Sequence, residues 1–291
     1  MGLHFSLSSK FPRLVTTNIL DVLLQNLPSS GLYSNYINPH SGRYGRQHIS
    51  LGALGDSFYE YLLKAWIQSN RTNEHLRSMY HNAAMVLKER LVHKKDGLTY
   101  LAELKENSPI HKMDHLACFS GGMFALGGYM NAHLSKELND EFINLGAEIT
   151  NTCHESYIRT ASKIGPDIFH FDRSHVATAS RSNEMVYLQR PETVESFFVL
   201  WRITKDPKYR EWGWNVVQAI EKHCKKENGY VGLRNVNDAK PGTDDVQQSY
   251  FLAETLKYLY LLFSDDNLLP LTKFTFNTEA HPLPIFSKSS S

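Results

Sequence analysis

Apolar residues recur at helical spacing over residues 51–68, 74–92, 136–162, 193–204, 208–224 and 246–263, so the pattern predicts a largely helical chain. Between these stretches lie short segments opened by glycine and rich in β-forming residues: "GLYSNYIN" from Gly31, "GLTYLAEL" from Gly97 and "GYVGLRNV" from Gly229. The order is helix, helix, small extended turn. A second repetition concerns helix beginnings, where an acidic residue precedes a hydroxyl and a large apolar residue: "DSFYEYL" at Asp56, "ESFFVLW" at Glu195 and "ETLKYLY" at Glu254. The free N–H groups and dipole of a helix start favour an acid, so one instance needs no further reason. Three instances suggest equivalent helices whose polar ends meet in one place, as in a ring of helical hairpins around a shared acidic pocket.

Composition narrows the partners. With 291 residues and 42% hydrophobic content the chain can bury a sizeable core. A net charge of +1 leaves no electrostatic footprint for nucleic acid or an anionic membrane, and favours a neutral polar substrate. No apolar run approaches the roughly 20 residues that span a bilayer; the best is "YLYLLF" at 258–263. The start lacks a secretory signal pattern, although Met1, Gly2 and Ser6 satisfy the loose myristoylation motif. Cys118, Cys153 and Cys224 fit no metal spacing and are either all reduced or one pair plus a free thiol. Asn70-Arg71-Thr72 is an N-glycosylation sequon.

Candidate chemistry is dominated by carboxylates. In "QRPETVESFF", Pro191 suits a first helical turn, and Glu192 and Glu195 then share a face beside Arg190. The following Phe197, Phe198, Leu200 and Trp201 mark that helix as buried, where charges are paired or functional. In "GDSFYEYLLKAW", Asp56 and Glu60 form an acidic pair one turn apart among aromatic residues, which describes either a carbohydrate pocket or a mixed core edge. Asp114 and His115 precede a Gly-rich, partly apolar helix, and His115 is a candidate base without a G-x-S-x-G nucleophile. No HExxH, P-loop or dinucleotide fingerprint occurs. A polar knot, "FNTEAHPLPIF", follows the last apolar helix. An aromatic-lined pocket of carboxylates on helices suits glycoside hydrolysis by two acids.

Taken together, "GLYSNYINP", "GDSFYEYLLKAW", "KMDHLACFSGGMFALG", "TCHESY", "RPETVESFFVLWRIT", "DDVQQSYFLAETLKYLYLLFSDD" and "FNTEAHPLPI" resemble the class I α-1,2-mannosidases of glycoside hydrolase family 47, most nearly the Golgi members. The resemblance implies an all-α (α/α)7 barrel with short β-hairpins in its connections, one hairpin plugging the barrel. It implies inverting, calcium-dependent removal of mannose from high-mannose N-glycans in the Golgi lumen. By motif, Asp56 and Glu192 match catalytic carboxylates, Glu192 as the base that activates water. Glu60, His115, Arg190, Glu195, Tyr250, Glu254 and Glu279 match substrate-binding positions, and Thr278 matches the Ca2+ ligand through its hydroxyl and carbonyl, hard oxygens of the kind calcium prefers. Cys118 and Cys153 match the family's disulfide, leaving Cys224 free.

The resemblance also has departures. The family's proton-donating glutamate has no counterpart here, Ser6 stands at a pocket glutamate, Tyr250 replaces a usual phenylalanine, and Gln248 stands where some relatives carry glutamate. The expectation is a partial catalytic domain over residues 1–286, without the family's first hairpins and membrane anchor, and a disordered Ser-rich tail over 287–291. Such a chain is expected to expose apolar helix faces, to be poorly stable and to turn over weakly. A non-catalytic mannose-binding remnant is the alternative. A relative that routes misfolded glycoproteins to degradation is disfavoured by the "DDVQQS" and "CHESY" segments.

Overall fold

The computed structural model describes residues 10–287; Met1, Gly2, Ser6 and the tail at 288–291 lie outside the described residues. Eight α-helices occur among the described residues: α1 (Lys10–Gln25), α2 (Asp56–Gln68), α3 (Glu74–Arg90), α4 (Phe119–Tyr129), α5 (Lys136–Ile158), α6 (Glu192–Thr204), α7 (Lys208–His223) and α8 (Lys257–Phe263). Side chains cap two of the starts: Asn73 accepts from the Leu76 N–H and Ser135 from the Leu138 N–H. The helices pair as α2 with α3, α4 with α5 and α6 with α7, while α2, α4, α6 and α8 pack in succession as an inner row.

The centre of that row is α4, buried along its first ten residues, FSGGMFALGG. Being apolar on every side it carries no periodic signal, which is why spacing alone does not pick it out. Its glycines permit the close packing. A Cβ on Gly121 would sit 2.1 Å from the Thr150 Oγ1, and one on Gly146 would sit 2.3 Å from the Gly121 carbonyl oxygen, so α4 and α5 touch backbone to backbone. On the other flank, the Ser196 hydroxyl of α6 donates to the Cys118 carbonyl at 2.6 Å and accepts from the Gly122 N–H at 2.8 Å.

Small antiparallel sheets occupy the connections, as the glycine-opened segments predict. They comprise β1 (His48–Ile49) with β4 (Glu103–Lys105) and β5 (Ser108–Ile110), β2 (Val92–Lys95) with β3 (Leu98–Leu101), and β6 (Lys112–Asp114) with β7 (Ile168–Phe171) and β8 (Val176–Thr178). Two hairpins follow, β9 (Lys225–Lys226) with β10 (Gly229–Tyr230), and β11 (Phe274–Phe276) with β12 (Pro282–Pro284). The last packs against α2, and carries the polar knot at its tip.

Three sequence expectations need correction. "GLYSNYIN" forms only an isolated bridge, Ile37 to Tyr44, because its polar groups turn back on the chain, as in the Asn35 N–H donating to the His48 carbonyl. The stretch 51–55 is a turn, not the beginning of α2, since Gly55 lies so close to the Ser50 carbonyl that no side chain fits. Residues 246–248 are likewise non-helical, held by the Gln248 N–H donating to the Gln189 side chain at 2.7 Å, and the helix begins only at Ser249. From there the chain continues as a π turn over Phe251–Leu256.

Apolar side chains remain exposed on Ile19, Val22 and Leu24 of α1, and on Trp214, Leu252, Tyr260 and Phe263 along α7, the π turn and α8. Among the described residues no helix is long and apolar enough to cross a membrane. The sequon Asn70 sits in the turn between α2 and α3, at φ +56°.

Candidate active site

The amino-terminal ends of α2 and α6 and the π turn that leads into α8 come together, and each delivers a carboxylate. Asp56 is the first residue of α2; its N–H donates to the Gly52 carbonyl, and its Oδ1 accepts from the Ser57 N–H at 2.7 Å. Burial, reinforced by the charges of Glu60 and Glu192, pushes its carboxyl up to about 6. One turn on, Glu60 is buried and paired with Lys64 at 2.5 Å, and Lys64 also reaches Glu195 at 3.4 Å. The acidic pair read from the sequence is therefore part of a larger set in which one ammonium lies between two carboxylates. Burial lowers the Lys64 ammonium, but Glu60 and Glu195 outweigh it and raise it to about 12.

Glu192 opens α6 and Glu195 lies one turn along it. Pro191, directly before Glu192, gives up no helical hydrogen bond at that position. The Glu192 Oε2 lies 2.7 Å from the His115 Nδ1. His115 is buried, and its Nε2 lies 2.6 Å from the Tyr157 hydroxyl, so the histidine stands behind Glu192 rather than open to a substrate. Glu195 is mostly enclosed, accepts from the Tyr258 hydroxyl at 3.3 Å, and has its carboxyl held high by desolvation despite Lys64. The Arg190 Nε donates to Asp167 at 2.7 Å, which fixes the guanidinium next to Glu192.

The π turn carries Glu254, whose carboxyl is pushed up to about 8 by burial and then by the charges of Glu192, Glu195, Glu279 and Glu60. Tyr250, directly before it, donates its hydroxyl to the Leu188 carbonyl at 2.6 Å. The Asn277 side chain orders the hairpin tip by accepting from the N–H groups of Glu279 and His281. That tip is tied to α2 and α8: the Thr278 N–H donates to the Tyr61 hydroxyl at 3.3 Å and the Lys257 Nζ donates to the Ala280 carbonyl at 3.1 Å. Thr278 and Glu279 are exposed.

Asp56, Glu60, Glu192, Glu195, Glu254 and Glu279 thus act on one another electrostatically, joined by Arg190 and Tyr250. The sequence reading passed over Lys64, Tyr157, Asp167, Thr193 and Tyr258. Lys64 had a local signal, since a glutamate four residues ahead of a lysine on a helix is a favourable pair. The others had none, because the partners they meet lie far off in the chain. Among the described residues no three His, Cys, Asp or Glu side chains group as a metal site. Cys118 and Cys153 form a disulfide, Cα to Cα 6.0 Å, that ties the start of α4 to α5, and Cys224 is free and buried. The arrangement provides carboxyls that keep a proton near neutrality together with one oriented by a histidine, the combination that acid-base hydrolysis requires.

Comparison with known proteins agrees with this geometry. A family model described as glycosyl hydrolase family 47 matches residues 8–285. The chain is 56% identical over 268 residues to mannosyl-oligosaccharide alpha-1,2-mannosidase IA of Drosophila melanogaster, covering 92% of this chain and 40% of that protein. It is 54% identical over 273 residues to mannosyl-oligosaccharide 1,2-alpha-mannosidase IA of Sus scrofa, covering 94% and 41% respectively. The chain therefore spans about two fifths of the length of these curated relatives. Among solved structures, the alpha-1,2-mannosidase from Trichoderma reesei superposes with a TM-score of 0.86 at 28% identity, over 96% of this chain and 62% of that one. The inner and outer helices follow the (α/α)7 barrel of that enzyme along the shared part.

Proposed function

Because the chain belongs to glycosyl hydrolase family 47, we propose that it serves in the hydrolysis of terminal α-1,2-linked mannose on high-mannose N-glycans, with inversion. The observation that carries the reading is the convergence of the Asp56, Glu192 and Glu254 helix ends on one carboxylate-lined site. Glu192, oriented by His115, accepts the proton of the attacking water. Among this chain's own carboxyls Asp56 is suited to keep a proton near the departing oxygen, being held up to about 6. Arg190, Tyr250, Glu195, Glu254 and Glu279 offer the polar groups that engage sugar hydroxyls.

Calcium is part of the proposal. The Thr278 hydroxyl and carbonyl are hard oxygens at an exposed hairpin tip whose N–H is engaged by Tyr61. Burial first, and then the neighbouring carboxylates, raise Glu254, and the gathering of acidic groups suits a cation. Bound there, calcium supplies an electrophile that orients sugar hydroxyls and water. A Golgi lumen setting accompanies the reading, and the Cys118–Cys153 disulfide fits an oxidising compartment.

The test is mannose release from an α-1,2-linked mannobiose and from a high-mannose glycan, with calcium and after chelation. The expected result is slow, calcium-dependent release of mannose that first appears as the β-anomer, slow because the family's proton-donating glutamate has no counterpart here, and lost by about 100-fold or more in Glu192→Gln. A folded chain that binds the disaccharide with calcium and releases nothing overturns the hydrolytic reading in favour of a mannose-binding one.

A further inference from the structure

We propose that Tyr157, backed by Thr193, is a positioning residue that fixes the tautomer of His115 and thereby holds Glu192 as an oriented carboxylate. The inference rests on the proposed role of Glu192 and extends it to two buried hydroxyls. Of "TCHESY", Cys153 is used by the disulfide and His154 stacks on Trp212 with ring centroids 3.9 Å apart. The motif's tyrosine has a different task. Tyr157, near the end of α5, is fully enclosed, yet its hydroxyl points at the one histidine behind Glu192.

The directions of the bonds follow from what each atom can donate. The His115 Nδ1 lies 2.7 Å from the Glu192 Oε2, and a carboxylate only accepts, so Nδ1 carries the proton. In a neutral imidazole the Nε2 then presents a lone pair and needs a donor. The Tyr157 hydroxyl lies 2.6 Å from it, and the Thr193 Oγ1 lies 3.3 Å from the same nitrogen while also bonding the Tyr157 hydroxyl. The shorter contact identifies Tyr157 as the donor to Nε2, with Thr193 donating in turn to the tyrosine oxygen. One chain of donors, from Thr193 to Tyr157 to His115, thus ends on Glu192. All three supporting groups are buried, so water does not compete for these bonds.

The opposite tautomer would put a lone pair of Nδ1 against the carboxylate, two acceptors at hydrogen-bond distance. Removing the tyrosine hydroxyl therefore alters the base through the histidine, without any contact with sugar. A partner that orients a functional histidine in this way changes activity by about 10- to 100-fold in comparable metal-ligating histidines.

The test is nitrogen-15 NMR of the folded chain labelled at histidine, with the His115 resonances assigned by their loss in His115→Asn. The expected wild-type spectrum has a protonated Nδ1 and a bare Nε2, and Tyr157→Phe replaces it with a tautomer mixture. Thr193→Val gives a smaller change in the same direction and serves should Tyr157→Phe fail to fold. On an α-1,2-mannobiose substrate, Tyr157→Phe lowers kcat by about 10-fold or more with KM within about twofold. A proton on Nε2 in the wild type, alone or with Nδ1, overturns the inference, as does a His115 signal indifferent to both substitutions. Absence of turnover in the wild type counts against the proposed hydrolysis, while the tautomer still decides this inference.

Discussion

Replacing Lys64 by methionine tests the electrostatic account of the site directly. The ammonium lies 2.5 Å from Glu60 and 3.4 Å from Glu195, with side-chain exposures of 9%, 4% and 13%. Methionine keeps most of the aliphatic stem, so what is lost is charge rather than packing. Two carboxylates then remain enclosed without their counter-ion, and breaking a buried pair this way costs about 3–5 kcal/mol, a large share of the ~5–15 kcal/mol available to a typical domain. The loss depends on pH with a definite sign. Glu195 is already held above its ordinary value by burial, and losing Lys64 removes an opposing influence, so its folded-state value rises further. A carboxyl raised on folding contributes stability below its unfolded value, near 4.3, and loses it as pH climbs through the folded value. Urea unfolding followed by tryptophan fluorescence at pH 5 and pH 8 should therefore give a large deficit at pH 8 and a much smaller one at pH 5. A deficit below about 1 kcal/mol at pH 8, or one equal at both values, would refute the buried-triad reasoning.

Other outcomes follow from the same structure. The disulfide joins residues 35 apart in sequence, for which chain entropy gives a loss of about 4 kcal/mol in Cys118→Ala with Cys153→Ala, measurable as a lowered urea midpoint. Gly121→Ala places a methyl 2.1 Å from the Thr150 Oγ1, and an overpacking loss of about 1–3 kcal/mol should appear in the same assay. Burial lowers His154 to about 4, and a histidine lowered on folding contributes stability above its unfolded value, near 6.5, that drains as pH falls toward the folded one. His154→Phe, which keeps a ring against Trp212, should therefore reduce the decline in Tm between pH 6.5 and pH 4; an unaltered decline would rule out this contribution.

Much of the fold was legible because its signals are local. Helices α3, α5 and α7 announce themselves by apolar spacing, since each buries one face and leaves the other in water. Strand β3 was legible as the extended segment opened by Gly97, and the structure adds the turn before it, where Asp96 and Gly97 both take positive φ. Helix α4, enclosed on every side, gives no such spacing and was legible only as the Gly-rich, partly apolar helix after His115. The wide turn at Phe251–Leu256 had no local signal either, for it is made by ties to Gln189, where the Thr255 hydroxyl donates to the Gln189 carbonyl at 2.6 Å.

The site divides along the same line. Acidic residues at helix starts are favoured by the helix itself, so the sequence alone marked Asp56, Glu192, Glu195 and Glu254 and suggested that their helices meet. Which partner each acid finds depends on segments far apart in the chain, and only the tertiary structure decided that. Lys64 reaches Glu195 across 131 residues, His115 reaches Glu192 across 77, and the Thr278 N–H finds Tyr61 across 217. Local sequence determined where charge enters the barrel; long-range packing, by choosing what stands beside each charge and how much water remains, determined the proton affinity each carboxyl carries.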